Sequence, residues 1–231
     1  ISGRQPSVRC AQQASNASTA STSAPRATAT ISSRTAATTA APGVRESLPT
    51  SPDALRERYE RVRAEVGENV TVVVATKYVS IDDLALLAEA GIETVGENRA
   101  QDLEAKHARY GDAFHWHFIG HLQSRKAKTV NAICELCHSL DSASAAVRLT
   151  VPALVEVNLS GEASKSGVPP DDLTAFLELY PDVRGLMTMP PFADDPEASR
   201  PYFRRLRELA EANGLRELSM GTSQDYRVAV E

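Results

Sequence analysis

Seven short apolar runs, each followed by a stretch of helical periodicity, constrain this chain more than any other feature it has. The clearest is Val70–Ala75 (VTVVVA), continuously apolar and β-branched, the pattern of a strand buried on both faces. Similar runs at 92–96, 114–119, 136–140, 153–159, 183–188 and 216–220 predict six more strands. Helical spacing fills the gaps, at 82–90, 100–110, 170–179 and 196–213, with Gly91, Gly111 and Gly214 at the expected helix ends. Strands that alternate with helices make a parallel sheet, either doubly wound or closed as a (β/α)8 barrel. Lys77, Glu97 with Asn98, residues 117–121, Asp141, Asn158, residues 187–189 and residues 219–223 all follow strands directly. In a barrel these positions converge on one rim, where barrel chemistry is done. Ala75-Thr-Lys-Tyr78 lacks the glycine turn that a dinucleotide-binding doubly wound sheet would place there. The predicted fold is therefore a (β/α)8 TIM-type barrel, with seven strands where eight are needed.

The barrel domain is expected over 51–231. Ser51-Pro-Asp53 supplies a cap and a first-turn proline, and Leu55, Tyr59, Val62 and Val66 then recur at helical spacing. Residues 1–50 are dominated by Ala, Ser and Thr and offer little apolar mass, so they are expected to be a disordered tail, dispensable for the barrel. Residues 1–43 carry four arginines and no Asp or Glu, a composition that also fits an organellar transit peptide. The remainder holds 21 basic and 30 acidic residues, net −9, which argues against nucleic acid or an anionic membrane as partner. No apolar run reaches the roughly 18–20 residues that span a bilayer. Three cysteines, Cys10, Cys134 and Cys137, do not make a disulfide framework, and a reducing compartment is the default.

Lys77 is the sharpest single residue. A lysine ending a buried strand places its amine at a partly desolvated rim, where burial favours the neutral form that attacks a carbonyl. It can equally reach past the strand into water, or pair with Glu97. Ser219-Met-Gly-Thr-Ser223 joins the last strand to a helical start, and small hydroxyl residues around a glycine there suit an anion. The plain alternative is an N-cap by Ser223. His115, His117 and His121 have no carboxylate at a useful offset, so rim packing or hydrogen bonding is preferred to metal binding. Cys134-Glu-Leu-Cys137-His138 looks like half a zinc site without its other half, which favours packing at a helix end. Lys165 is either a second functional amine or a solvated loop charge.

Taken together, VATKY at 74–78, GEN at 96–98, HWHFIGHLQ at 115–123, SKSG at 164–167, GLM at 185–187 and SMGTS at 219–223 resemble the pyridoxal phosphate homeostasis proteins. The resemblance runs over roughly 52–231. It implies a barrel like the N-terminal domain of alanine racemases, with pyridoxal 5′-phosphate (PLP) as cofactor held as a Schiff base on Lys77. It implies a phosphate cradle from Ser219, Gly221, Thr222 and Ser223, with Asn98 and residues from Met187 to Met189 lining the site, and no catalytic or metal-ligating residue. The function implied is non-catalytic, in vitamin B6 and PLP homeostasis. The alternative is a PLP-dependent amino-acid racemase, disfavoured because the chain has no second domain to supply an opposing acid/base group. PLP-dependent apoenzymes as further partners, a monomeric state and a cytoplasmic location follow, or a mitochondrial or plastid one if 1–50 is a transit peptide. Three departures stand out. Thr222 replaces a common methionine, a helix near 149–151 is clipped, and the final strand and helix, with an Arg-x-Gly-Ser/Thr segment, are missing. An open barrel edge is the expected consequence.

Overall fold

A computed structural model describes residues 26–32 as backbone, and residues 51–162, 165–180 and 182–231 with their side chains. Eight parallel strands close into a barrel in strict chain order. They are β1 (Arg26–Ser32), β2 (Val70–Ala75), β3 (Thr94–Glu97), β4 (His115–Phe118), β5 (Leu136–Leu140), β6 (Ala153–Glu156), β7 (Val183–Met187) and β8 (Glu217–Ser219). The last seven are the strands anticipated from the apolar runs, and the parallel barrel is the fold expected.

The place expected to be open is filled. β1 lies between β8 and β2, with Thr28 in register with Thr71 on one side and Ser219 on the other. This corrects the expectation for residues 26–32 of the low-complexity segment, which form a barrel strand rather than tail. The sequence RATATIS alternates Ala and Ile with Arg, Thr and Ser, and period two with β-branched residues is what a strand needs. The rest of 1–50, Cys10 included, lies outside the described residues.

The helices follow the strands in the regular βα order: α1 (Pro52–Val66), α2 (Leu84–Glu89), α3 (Ala100–Tyr110), α4 (Ala127–Ile133), α5 (Ala143–Ala146), α6 (Leu173–Leu177), α7 (Arg200–Ala212) and α8 (Tyr226–Val230). The Ser51 hydroxyl caps α1 by accepting from the Ala54 N–H at 3.3 Å. The stretch 170–179 is a 3-10 turn leading into a short α6, because Pro169 and Pro170 leave its start without N–H donors. α5, in the segment between β5 and β6, is a single turn. β6 stops at Glu156 because Asn158 folds the next residues onto itself, accepting from Ser160 and the Gly161 N–H and donating to the Glu162 carbonyl.

The strands bury side chains on both faces. Val72, Val74, Val95, Phe118, Val155, Leu186 and Leu218 face the helices in the main core. Leu136, Leu154 and Met187 form a separate cluster from alternate positions of β5, β6 and β7, which is the lumen.

Candidate functional site

The alternation that sends Val74 and Thr76 outward brings Ala75 and Lys77 to the inner side of β2 at its C-terminal end. There a pocket of about 180 Å³ opens on the rim. Lys77, Asn98, Met187, Ser219, Gly221 and Thr222 all line it, six of the seven residues singled out from the sequence. Thr188 and Met189 share the wall with Met187, whose other contacts are Leu136 and Leu154 in the lumen below.

Lys77 is exposed, not desolvated as expected, with its ammonium 5.1 Å from the centre of the Tyr78 ring. Nor does it pair with Glu97. That carboxylate points outward, is fully buried, and accepts from Lys106 of α3 and, at 2.7 Å, from the Thr76 hydroxyl. The Lys106 ammonium also donates to the Thr76 carbonyl at 2.7 Å. The residues on either side of the Lys77–Asn98 wall are thus tied together from behind, which leaves the Lys77 amine open to the pocket.

Asn98 presents a buried side-chain oxygen with no hydrogen-bond partner among the described residues. Such an orphan costs about 1–3 kcal/mol, so a ligand O–H or N–H in this pocket would be stabilised by it. Gly120 is obligatory beside it, since a Cβ there would come within 2.2 Å of the Asn98 carbonyl oxygen.

The 219–223 turn is only partly the cradle expected. Gly221 has φ +85°, and a Cβ there would meet Ala229 at 2.8 Å and the Tyr226 backbone at 2.9 Å, so the chain can make this turn only with glycine. Thr222 lines the pocket, yet its N–H and hydroxyl both donate to Asp225, at 2.7 and 2.9 Å, and thus brace α8. Ser223 does not line the pocket. Ser219, buried at the end of β8, turns its hydroxyl to the lumen and meets His138.

His138, which the sequence offers only as part of half a zinc site, also lines the pocket. It sits in mid-strand on β5, fully buried, bonded to His117 on one side and Ser219 on the other. Its neighbours in the sequence motif behave as packing: Cys134 and Cys137 are buried thiols, and burial pushes Cys137 up to about 11. His115 pairs with Glu135 at 2.7 Å, which raises its pKa, and His121 lies 3.3 Å from Asp141. Lys165 pairs with Glu162 at 3.0 Å, the solvated-charge alternative, while Ser164 of the same motif lies outside the described residues. Among the described residues no group of three His, Cys, Asp or Glu side chains is placed to hold a metal ion, and no helix is long and apolar enough to cross a membrane.

Residues 50–229 match the family model of the alanine racemase N-terminal domain. The pyridoxal phosphate homeostasis protein of Aquifex aeolicus is 39% identical over 191 residues, spanning 73% of this chain and 84% of that one. Its counterpart in Deinococcus radiodurans is 36% identical over 198 residues, 80% and 92% of the two chains. Among solved structures, PipY of Synechococcus elongatus matches with a TM-score of 0.69 without PLP and 0.67 with PLP bound, at 31% and 29% identity. Both matches cover 76% of this chain and 92% of that one. An alanine racemase of Clostridium difficile, 12% identical with a TM-score of 0.59, shares the fold over 72% of this chain and 50% of its own.

Proposed function

The chain belongs to the pyridoxal phosphate homeostasis proteins of the alanine racemase N-terminal-domain family, and from that premise we propose that it binds pyridoxal 5′-phosphate without turning over a substrate. The observation that carries this reading is the joining of Lys77, Asn98 and the 219–222 turn around one rim pocket. When bound, the cofactor supplies an aldehyde, which condenses with an amine and releases water. Among the described residues Lys77 is the amine that lines the pocket, and we assign it the Schiff base. Ser219 and the backbone of the Gly221 turn receive the phosphate, which a glycine-bearing turn ahead of a helix suits. Asn98 accepts from the ligand, and Met187, Thr188 and Met189 give the ring an apolar wall.

The pocket's ionisable side chains support a carrier over a racemase. Among the described residues they are Lys77 and His138, and burial holds His138 far below the usual imidazole range, so it stays neutral. Racemisation needs an acid and a base on opposite faces of a carbon, and Lys77 alone cannot supply both. Handover of the cofactor to PLP-dependent apoenzymes, as a cytoplasmic monomer, completes the proposal.

The test is borohydride reduction of protein equilibrated with PLP, followed by peptide mapping. The phosphopyridoxyl group is expected on the peptide containing Lys77, and Lys77→Ala should lose the visible chromophore while keeping its fold. An adduct found mainly on Lys165 or Lys126 overturns the assignment.

A further inference from the structure

His138 bridges the lumen. Its Nε2 lies 2.9 Å from His117 Nδ1 on the adjacent strand β4, and its Nδ1 lies 2.8 Å from Ser219 Oγ on β8. All three side chains are buried, with exposures of 9%, 1% and 3% for His117, His138 and Ser219. Ser219 and His138 line the pocket, while His117 continues the chain away from it. We infer that His117 and His138 are a positioning relay that fixes the direction of the Ser219 hydroxyl, so that it donates to the phosphate of the bound cofactor. This deepens the reading above and rests on it.

The reasoning is a count of protons. A neutral imidazole has one N–H and one acceptor nitrogen. Burial holds His117 at about 4 and His138 well below the ordinary imidazole value, so both are neutral at physiological pH. The chain then has two consistent states. In one, Ser219 donates to His138 and His138 donates to His117, which leaves the hydroxyl no proton to offer the pocket. In the other, His117 Nδ1–H donates to His138 Nε2, His138 Nδ1–H donates to Ser219 Oγ, and the hydroxyl proton is free. A phosphate dianion accepts and does not donate, so its arrival selects the second state. No covalent step is involved, and imidazoles this reluctant to take a proton are poorly suited to deprotonating Ser219 into a nucleophile. What the relay contributes is a charge-assisted hydrogen bond to the phosphate from a hydroxyl oxygen that His138 already holds at the pocket wall.

Merely structural histidines would support PLP and pyridoxal equally; a relay aimed at phosphate supports PLP alone. The experiment compares the Kd of PLP and of pyridoxal for the full chain and for His138→Leu, His138→Asn and His117→Leu. His138→Leu should weaken PLP by about tenfold or more and leave pyridoxal within about twofold. His138→Asn keeps an N–H near the place of Nδ1–H and should restore most of the loss. Equal weakening for the two ligands, or no rescue by asparagine, overturns the relay. Because a leucine variant can fail to fold, nitrogen-15 spectra of the histidine-labelled wild-type chain provide a second measurement. Saturation with PLP should leave both rings protonated at Nδ1, and an Nε2–H form of His138 in the saturated protein overturns the inference. A wild-type chain that binds PLP no better than pyridoxal sinks the phosphate assignment and the relay together. One that binds neither sinks the cofactor reading itself, an outcome distinct from a relay that fails in a protein that does bind PLP.

Discussion

Lys106 of α3 donates to the carboxylate of Glu97 on β3, and the two side chains are 6% and 0% exposed. Removing one partner of a buried ion pair leaves a charge that nothing compensates, which typically costs about 3–5 kcal/mol. Lys106→Met should therefore lower the unfolding free energy by about that much in urea titration, and the double variant Lys106→Met, Glu97→Gln should recover part of it. A single variant within about 1 kcal/mol of wild type would show that the pair is dispensable.

Acid stability is set by opposed groups. His117 titrates at about 4 when folded, because it is buried, against 6.5 ordinarily. Between those values the unfolded chain holds the extra proton, so stability is lost as pH falls from about 6.5 toward 4, and the buried His138 adds the same sign. Glu156 runs the other way: burial first, then the Asp141 charge, raises it to about 7. The folded chain then keeps a proton that the unfolded one loses above about 4.5, and stability falls as pH rises through that window. Glu156→Gln should gain on wild type by about 2 kcal/mol between pH 4.5 and 7.5, allowing for its partial exposure. A difference that does not change with pH would remove Glu156 from this account.

Cys134 and Cys137 are buried, and burial raises both thiols well above their ordinary value. Thiolates are the reactive form. Mass spectrometry after iodoacetamide treatment at pH 7.5 should find both unmodified in native protein and both modified in urea. Rapid native labelling of Cys137 would mean that β5 opens readily, and of Cys134 that the end of α4 does.

Gly221→Ala asks for a side chain at φ +85°, with its Cβ 2.8 Å from Ala229. The turn must move or α8 must shift, at a cost of about 1–3 kcal/mol. PLP affinity should fall more than stability does, since the turn borders the pocket. Unchanged affinity would place the phosphate elsewhere.

β1 makes backbone contacts on both sides at Thr28. Thr28→Pro deletes a ladder N–H inside a doubly flanked strand, orphaning a carbonyl worth about 1–3 kcal/mol. The melting temperature should drop by roughly 5 °C. No drop would mean that the barrel does not depend on this strand.

The strands from Val70 onward were legible because each is a compact apolar run, and α3 was placed at Ala100–Tyr110 because helical spacing continues to a terminal glycine. Lys77, Asn98 and Ser219 were legible by position, since strand ends meet at a barrel rim. β1 was not: its apolar residues are mainly alanines, and Ala/Ser/Thr-rich sequence reads as tail until a neighbouring strand supplies hydrogen bonds. His138 was hidden because its partners lie 21 and 81 residues away. The Lys106–Glu97 pair was hidden because a lysine in a charged helix looks solvated. Ser223 stands outside the pocket because the turn closes from Thr222 onto Asp225.

Closure through β1 also orders events in time. The contact of Thr28 with Ser219 joins positions 191 residues apart (219 − 28), against 43 for Thr28 with Thr71 (71 − 28). During synthesis the first strand leaves the ribosome with only one of its two neighbours near at hand. Its second edge stays bare until almost the whole described chain has emerged, some 10–40 s later at about 5–20 residues per second. Sealing of the barrel is therefore a late, long-range step, the kind that loop-closure entropy makes slow. In that interval the pocket is already lined on the β2, β3 and β4 sides but still lacks Ser219 and Gly221, so the two halves of the proposed cofactor site meet only when the barrel seals.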